Sequence, residues 1–472
     1  MTNYLIDDGT LLDCTGNSPS PRTSLFVEGN RIAKIGSKDE VKTFAERKGR
    51  YKTIAGAGMT VMPGIVDCHA HPSYGDVLSF EELDIYTGCE YRTLRAAHSL
   101  KKILRAGVTS ICAPGCNWNI NVALRDAVNA GMIEGPRIAA SGRYITTYNA
   151  IASALPSFIE HPASSFGVLC NTRDEMITET RKQLKDGSDL IKVAGDGDSL
   201  TSDGHLTGTI DEDDLRAIAD LTHMMGKRCT IHARSGMATV AAVKAGFDWI
   251  IHASYMTDDD LAVLLEHRTP VNPTLVLLVN TVEWGADVGA SQGLIDAMKR
   301  EVEAASRGLS KAYKEGIMIM AGSDSGNGMC PYGEWHAREM ELLTSYLGMS
   351  TMDALKAGTI NAAFALDMQD EIGTLEEGKR ADILVVDGDP LADIAVLQDK
   401  KRLKVIMKDG VIVDTKTPLP ELKIYPWEKP QLYWKEPQLL TQDFVRKRAR
   451  NKPAWMRKTR NQEKKPTVIR AA

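Results

Sequence analysis

The chain has 472 residues, 43% hydrophobic and 25% charged, with 39 Gly, 19 Pro and a formal net charge of −5. That balance belongs to a globular protein with room for more than one structural layer, and it excludes a disordered, collagenous or coiled-coil chain. No run approaches the roughly 20 apolar residues of a spanning helix, and Met1-Thr2-Asn3-Tyr4 does not begin a secretory leader, so the expectation is a cytoplasmic protein with no membrane partner.

Taken in order, Tyr4 to Asp13 and Ser24 to Ile35 read as strands, the latter turning at Glu28-Gly29-Asn30. From about residue 64 to 370 short β-rich runs alternate with amphipathic segments. Eight runs stand out: Gly64 to His71, Ser110 to Gly115, Pro136 to Gly142, Asp189 to Gly195, Cys229 to Arg234, Trp249 to Tyr255, Pro270 to Leu277 and Ile317 to Ser325. Helices are expected at Tyr91 to Ala106, Asp213 to Met225 and Thr351 to Ala363, with Gly107 and Gly226 as C-caps. Eight βα repeats predict an α/β fold, a (β/α)8 TIM-like barrel over residues 63–370.

After the barrel, Ala381 to Val386 and Lys404 to Val413 again read as strands. Neither chain end holds enough strands for a core, so residues 1–62 and 371–415 together predict a composite β-sandwich domain. Residues 416–472 read as an extended basic C-terminal arm, with eleven Lys/Arg after residue 445 against the single acid Glu463. It could bind an acidic partner or RNA, but a tail laid over the acidic surface of its own or a neighbouring subunit is the favoured reading. The acidic body argues against a nucleic-acid partner. The eight cysteines form no CxxC pair and are expected as reduced thiols.

The chemistry concentrates at the C-terminal ends of the runs, the face where barrel enzymes work. Asp67-Cys68-His69-Ala70-His71 puts two imidazoles at i and i+2, on one face of a strand. His232, His252 and Asp324 end the fifth, sixth and eighth runs, a ligand set for zinc or a similar divalent ion and enough for two. Two metals need a bridging anion, and Lys192, ending the fourth run, could supply one. Burial frees the amine to react with CO2 and form a carbamate. Tyr144, Tyr255, Trp335 and, in Ser202-Asp203-Gly204-His205, His205 are candidate substrate contacts; Tyr148, Trp284 and His336 are weaker ones. His98, His161, His223 and His267 have no partner at ligand spacing and read as structural. No Walker A motif or complete GxGxxG follows a strand, so nucleotide chemistry is not indicated.

The His69-x-His71 strand, Lys192, His232, His252 and Asp324 in this order resemble the amidohydrolase superfamily. Met62-Pro63-Gly64-Ile65-Val66-Asp67 and Gly373-Thr374-Leu375-Glu376-Glu377-Gly378-Lys379-Arg380-Ala381-Asp382 are similar to its signatures. The likeness is greatest to the branch of imidazolonepropionase-like enzymes, Xaa-Pro dipeptidases, ochratoxinase, and the phenylurea and molinate hydrolases. The resemblance implies a barrel with a β-sandwich and two divalent ions, zinc foremost and cobalt or manganese as alternatives. It implies His69, His71 and Asp324 around the deeper ion, His232 and His252 around the other, and carboxylated Lys192 as bridge. Hydrolysis would proceed by metal-hydroxide attack, with Asp324 as the catalytic proton carrier. The chain departs from peptidase-like members at Ile251, where many have an acid, and at Ala113-Pro114, where many have Arg-Asp. These departures point to a neutral small-molecule substrate, an amide, urea or carbamate such as a phenylurea or thiocarbamate. An Xaa-Pro dipeptidase or acyl-amino-acid carboxypeptidase is the alternative and would need a cation such as Arg143 or Arg234; a non-catalytic scaffold is a third reading. A homo-oligomer is expected.

Overall fold

The computed structural model describes residues 2–197, 206–422 and 439–451. The chain opens with β1 (Asn3–Leu11), β2 (Ser20–Glu28), β3 (Arg31–Ser37), α1 (Lys38–Arg47), β4 (Tyr51–Ala55) and β5 (Thr60–Pro63). The β2–β3 hairpin turns where expected, with Gly29 at φ +63°. Helix α1 was not anticipated. Glu40 starts it by accepting hydrogen bonds from the Ser37 N–H and hydroxyl, and Val41 and Ala45 pack on Leu5 and Phe26 of the sheet.

The middle of the chain contains β6 (Ile65–Asp67), α2 (Phe80–Asp84), α3 (Cys89–Leu104), β7 (Val108–Ala113), α4 (Ile120–Asn129), β8 (Arg137–Ala140), β9 (Tyr144–Thr146), β10 (Gly167–Leu169), α5 (Arg173–Lys185) and β11 (Leu190–Ala194). It continues with α6 (Glu212–Met224), β12 (Arg228–Ser235), α7 (Gly236–Ala245), β13 (Trp249–Tyr255), α8 (Asp258–His267), β14 (Val271–Asn272), α9 (Leu275–Val288), α10 (Gln292–Lys314), α11 (Arg338–Leu347), α12 (Thr351–Ala357) and α13 (Ile360–Ala363). The strands pair in parallel as β6-β7-β8 and as β10-β9-β11-β12-β13-β14. Both β7 and β11 are buried on both faces, β11 being apolar except for Lys192. Single bridges Ser141↔Leu190, Val271↔Ile319 and Ala70↔Ser325 link the two sheets and the segment 317–325.

Three expectations change. The seventh run shrinks to two residues, because Pro273 has no N–H to donate, Thr274 turns into left-handed backbone at φ 55°, and α9 begins at Leu275. The eighth run forms no continuous strand: it bridges its neighbours at Ile319 and Ser325 and bonds to Cys68 and His69 through the Ala321 carbonyl and the Asp324 N–H. The last helix breaks in two at Gly358, whose carbonyl accepts the Val66 N–H and where a Cβ would stand 2.3 Å from the Met340 sulfur.

The chain closes with β15 (Ile383–Val386), β16 (Leu403–Lys408), β17 (Val411–Ile412) and α14 (Gln442–Asn451). Hydrogen bonds link the strands of both chain ends into one eight-stranded sheet, in the order β17-β16-β15-β5-β1-β2-β3 with β4 beside β1. Arg137 of β8 ties this sheet to the parallel strands, reaching Asp382 and Asp409 at 2.6 Å each. Of the expected arm, residues 423–438 and 452–472 lie outside the described residues, and the part between is helical, not extended. Leu440 is fully buried, bonded through its N–H to the Gly328 carbonyl and through its carbonyl to the Trp335 indole. Among the described residues no helix is long and apolar enough to cross a membrane, and all eight cysteines are free thiols.

Candidate metal centre

Pleating and register bring the expected ligands together. His69 and His71 follow β6 on one face, with their Nε2 atoms 3.0 Å apart. Asp324 Oδ1 lies 3.5 Å from the first and 3.0 Å from the second. In the parallel pairing Ala194 faces His232 and Ala233 faces His252, so the rings of His232 and His252 meet at 4.6 Å and those of His252 and His69 at 5.8 Å. Lys192, two residues before Ala194, is fully buried, with Nζ 5.2 Å from the Tyr144 ring. Asp324 and His252 sit in left-handed backbone, at φ 54° and 81°, a conformation that costs energy and clusters at functional sites.

Neighbouring groups orient the rings. His71 Nδ1 meets the Gly115 carbonyl at 3.2 Å and His232 Nε2 the Gly197 carbonyl at 2.9 Å. A carbonyl only accepts, so each of these nitrogens carries a proton and the opposite one is left for the centre. His69 Nδ1 meets the Thr274 hydroxyl at 3.2 Å. Asp67 joins both ends of the site: its carboxylate accepts the His69 and Ser323 N–H groups at 3.0 Å, the Ser323 hydroxyl at 2.5 Å and His336 Nδ1 at 2.7 Å. Gly322 must lack a side chain there, since a Cβ would lie 2.6 Å from that of His69.

The electrostatics suit a divalent ion. Burial holds His69, His232 and His252 well below the ordinary imidazole range. Burial also lowers the Lys192 amine to about 7, against the pull of Asp324. For Asp324 burial acts upward, but His69, His71 and Arg234 outweigh it and hold the carboxyl well below its usual range. Lys192 Nζ and His252 Nδ1 are buried without a hydrogen-bond partner among the described residues, an arrangement that costs free energy unless something else satisfies them. Neutral imidazoles, an ionised carboxylate and an unpaired amine form a donor set that fits zinc, cobalt or manganese.

The centre opens into a cavity of about 530 Å³, the size of a small-molecule site. Tyr74, Phe80, Phe166, Leu277, Leu294 and Met298 are among its apolar walls. Arg234, the one Lys or Arg among the described lining residues, pairs with buried Glu301.

Of the expected substrate contacts, Tyr144 lines the cavity, its hydroxyl 3.4 Å from His71 Nε2. Trp335 does not, because it is buried with its indole N–H on the Leu440 carbonyl, and Tyr255, ending β13, is not a lining residue either. His205 lies outside the described residues. His336 touches Asp67 and Ser323 and so supports the site from behind. Arg143 is spent on the carbonyls of Pro162, Ser165 and Gly167. The partnership of Asp67, Ser323 and His336 escapes a sequence reading, since it joins residues more than 250 positions apart. So does the partnership of His223, which meets Asp248 and Cys229.

The sequence model of the amidohydrolase family matches residues 60–413. Ochratoxinase of Aspergillus niger is 25% identical over 436 residues, 86% of this chain and 85% of that protein. The structure of an Xaa-Pro dipeptidase with methionine in its active site superposes with a TM-score of 0.75 at 25% identity, covering 87% of this chain and 99% of that one. A molinate hydrolase structure gives 0.73 at 23% identity, over 90% and 98% of the two chains.

Proposed function

The chain belongs to the amidohydrolase family, and on that premise we propose that it hydrolyses a carbon–nitrogen bond in a neutral, apolar amide, urea or carbamate, using two divalent ions. Its frame is a closed (β/α)8 barrel. The bridges between the two parallel sheets and the segment 317–325 support closure. So does a shared apolar cluster, in which Val66, Cys112, Ala139, Leu190 and Trp249 of β6, β7, β8, β11 and β13 meet Met320 of the segment 317–325.

His69, His71 and Asp324 would hold one ion, His232 and His252 the other, and Lys192 as its carbamate would bridge them. Bound there, zinc, cobalt or manganese would polarise the scissile carbonyl and lower the pKa of water. Asp324, kept ionised by its imidazole neighbours, takes the proton of the attacking water on a carboxylate oxygen and delivers it to the leaving nitrogen. Burial keeps the Tyr144 phenol protonated, so its hydroxyl can donate to the substrate oxygen. Tyr74, Phe80 and Phe166 offer faces and edges to an aryl or alkyl group and exclude bulk water.

The observation that carries the neutral-substrate reading is the Arg234–Glu301 pair. A substrate carboxylate needs a cation, and the lining one already faces a buried carboxylate. The test compares kcat/KM for matched anilides, phenylureas and thiocarbamates with N-acyl amino acids and Xaa-Pro dipeptides, alongside metal content per chain for wild type and Lys192→Ala. About two ions per chain, falling in the variant, with neutral substrates preferred, is the expected result. Faster turnover of the carboxylate-bearing series would overturn the substrate reading.

A further inference from the structure

At the opposite ends of the same strands lies a second group of ligand-type side chains. His223 lies in the last turn of α6, Cys229 is the second residue of β12, and Asp248 immediately precedes β13. Their ligand atoms lie within 4.8 Å of one another. His223 Nε2 is 2.9 Å from Asp248 Oδ2 and 3.9 Å from Cys229 Sγ. Tetrahedral zinc with one nitrogen, one oxygen and one sulfur ligand sets those atoms on the order of 3.3–3.7 Å apart, so small side-chain rotations suffice. We propose that His223, Cys229 and Asp248 form a second transition-metal site, of the zinc class, at the floor of the parallel strands.

Two features favour a metal over a proton relay. Both contacts of the imidazole use the same nitrogen, whereas a Cys-His-Asp relay engages the two ring nitrogens separately. Convergence of three donor atoms on one point is coordination geometry. The chemistry of the donors selects the ion, because thiolate with imidazole and one carboxylate suits zinc or cobalt and disfavours magnesium or calcium. Cys229 is fully buried while the His223 side chain is 40% exposed, so an ion enters from solvent on the histidine side and keeps an open position there. The site braces the strands that carry the candidate centre, since Cys229 precedes His232 on β12 and Asp248 precedes His252 on β13.

Cobalt tests this directly, because thiolate-to-cobalt charge transfer gives a near-ultraviolet band, and the donors at the other end of the strands include no sulfur. Full-length chain stripped with chelator is titrated with Co²⁺, as wild type, Cys229→Ser and His223→Gln. The histidine variant alters a half-exposed side chain and keeps the fold testable should the buried serine disturb it, with circular dichroism as the check. The expected result is a sulfur-to-cobalt band in wild type, absent from both variants, with each variant binding one cobalt per chain fewer than wild type. No band in folded wild type at saturating cobalt, or a band surviving in either folded variant, would overturn the assignment.

Discussion

The two ends of the parallel strands carry similar ligand chemistry in opposite physical settings. At the mouth, four histidines and Lys192 are 0–2% exposed and are drawn from strands far apart in the chain. At the floor, His223, Cys229 and Asp248 come from neighbouring elements, and Asp248 is satisfied by His223 and by the Cys229 N–H at 2.8 Å. The mouth therefore destabilises the fold until its donors are used, while the floor is nearly neutral to folding. Unpaired buried polar groups carry a cost that bound ligands can relieve, and Lys192 and His252 carry it at the mouth, which supports the proposal that the chemistry takes place there.

The largest effect that would break this comparison belongs to Asp324→Asn. The amide keeps the shape but cannot carry the proton, so kcat should fall by about 10²–10⁴-fold with metal retained. A metal-loaded variant with near-wild-type turnover would remove the proton role. A smaller effect is expected behind the ligands. His336→Ala takes one of four hydrogen bonds from Asp67 and loosens the backbone of both His69 and Ser323. Losses of this kind reduce metal affinity or activity about 10–100-fold, and unchanged metal retention together with unchanged kcat would show that the packing alone holds the site.

The smallest effect sharpens the comparison through pH. Glu339 accepts the N–H groups that open α9, at 2.9 and 2.8 Å, and burial raises its carboxyl to about 8. The native state thus holds this proton more tightly than the unfolded chain. The stability it contributes is full below the ordinary carboxylate range and declines as pH rises towards about 8. Glu339→Gln lacks that slope, so its stability deficit in urea denaturation should narrow as pH rises. Parallel wild-type and variant curves would contradict the protonated carboxyl.

Much of the site is legible because its signals are local. Period two puts His69 and His71 on one face, and the apolar runs that carry Lys192, His232 and His252 form β11, β12 and β13. Trp335 and Tyr255 mislead because a position near a strand end does not determine which way a side chain turns; a carbonyl from the C-terminal segment claims the Trp335 indole. Leu440, in a stretch that reads as a basic arm, is a buried anchor against the Gly328 carbonyl, beside the cavity wall. Nothing in its sequence neighbourhood signals this, since only the groove that receives it makes it a core residue.

The sequence by itself determined the alternation of strand and helix, the candidate donors proposed for the mouth and the free state of the thiols, all properties of local spacing and side-chain chemistry. Tertiary structure alone decided that strands from both chain ends share a sheet, that Asp67 joins the two ends of the site, that Arg234 is balanced by Glu301 and that His223 meets Cys229. Each of these depends on contacts whose geometry is set by packing the whole chain, and local periodicity carries no information about which distant surface a residue will meet.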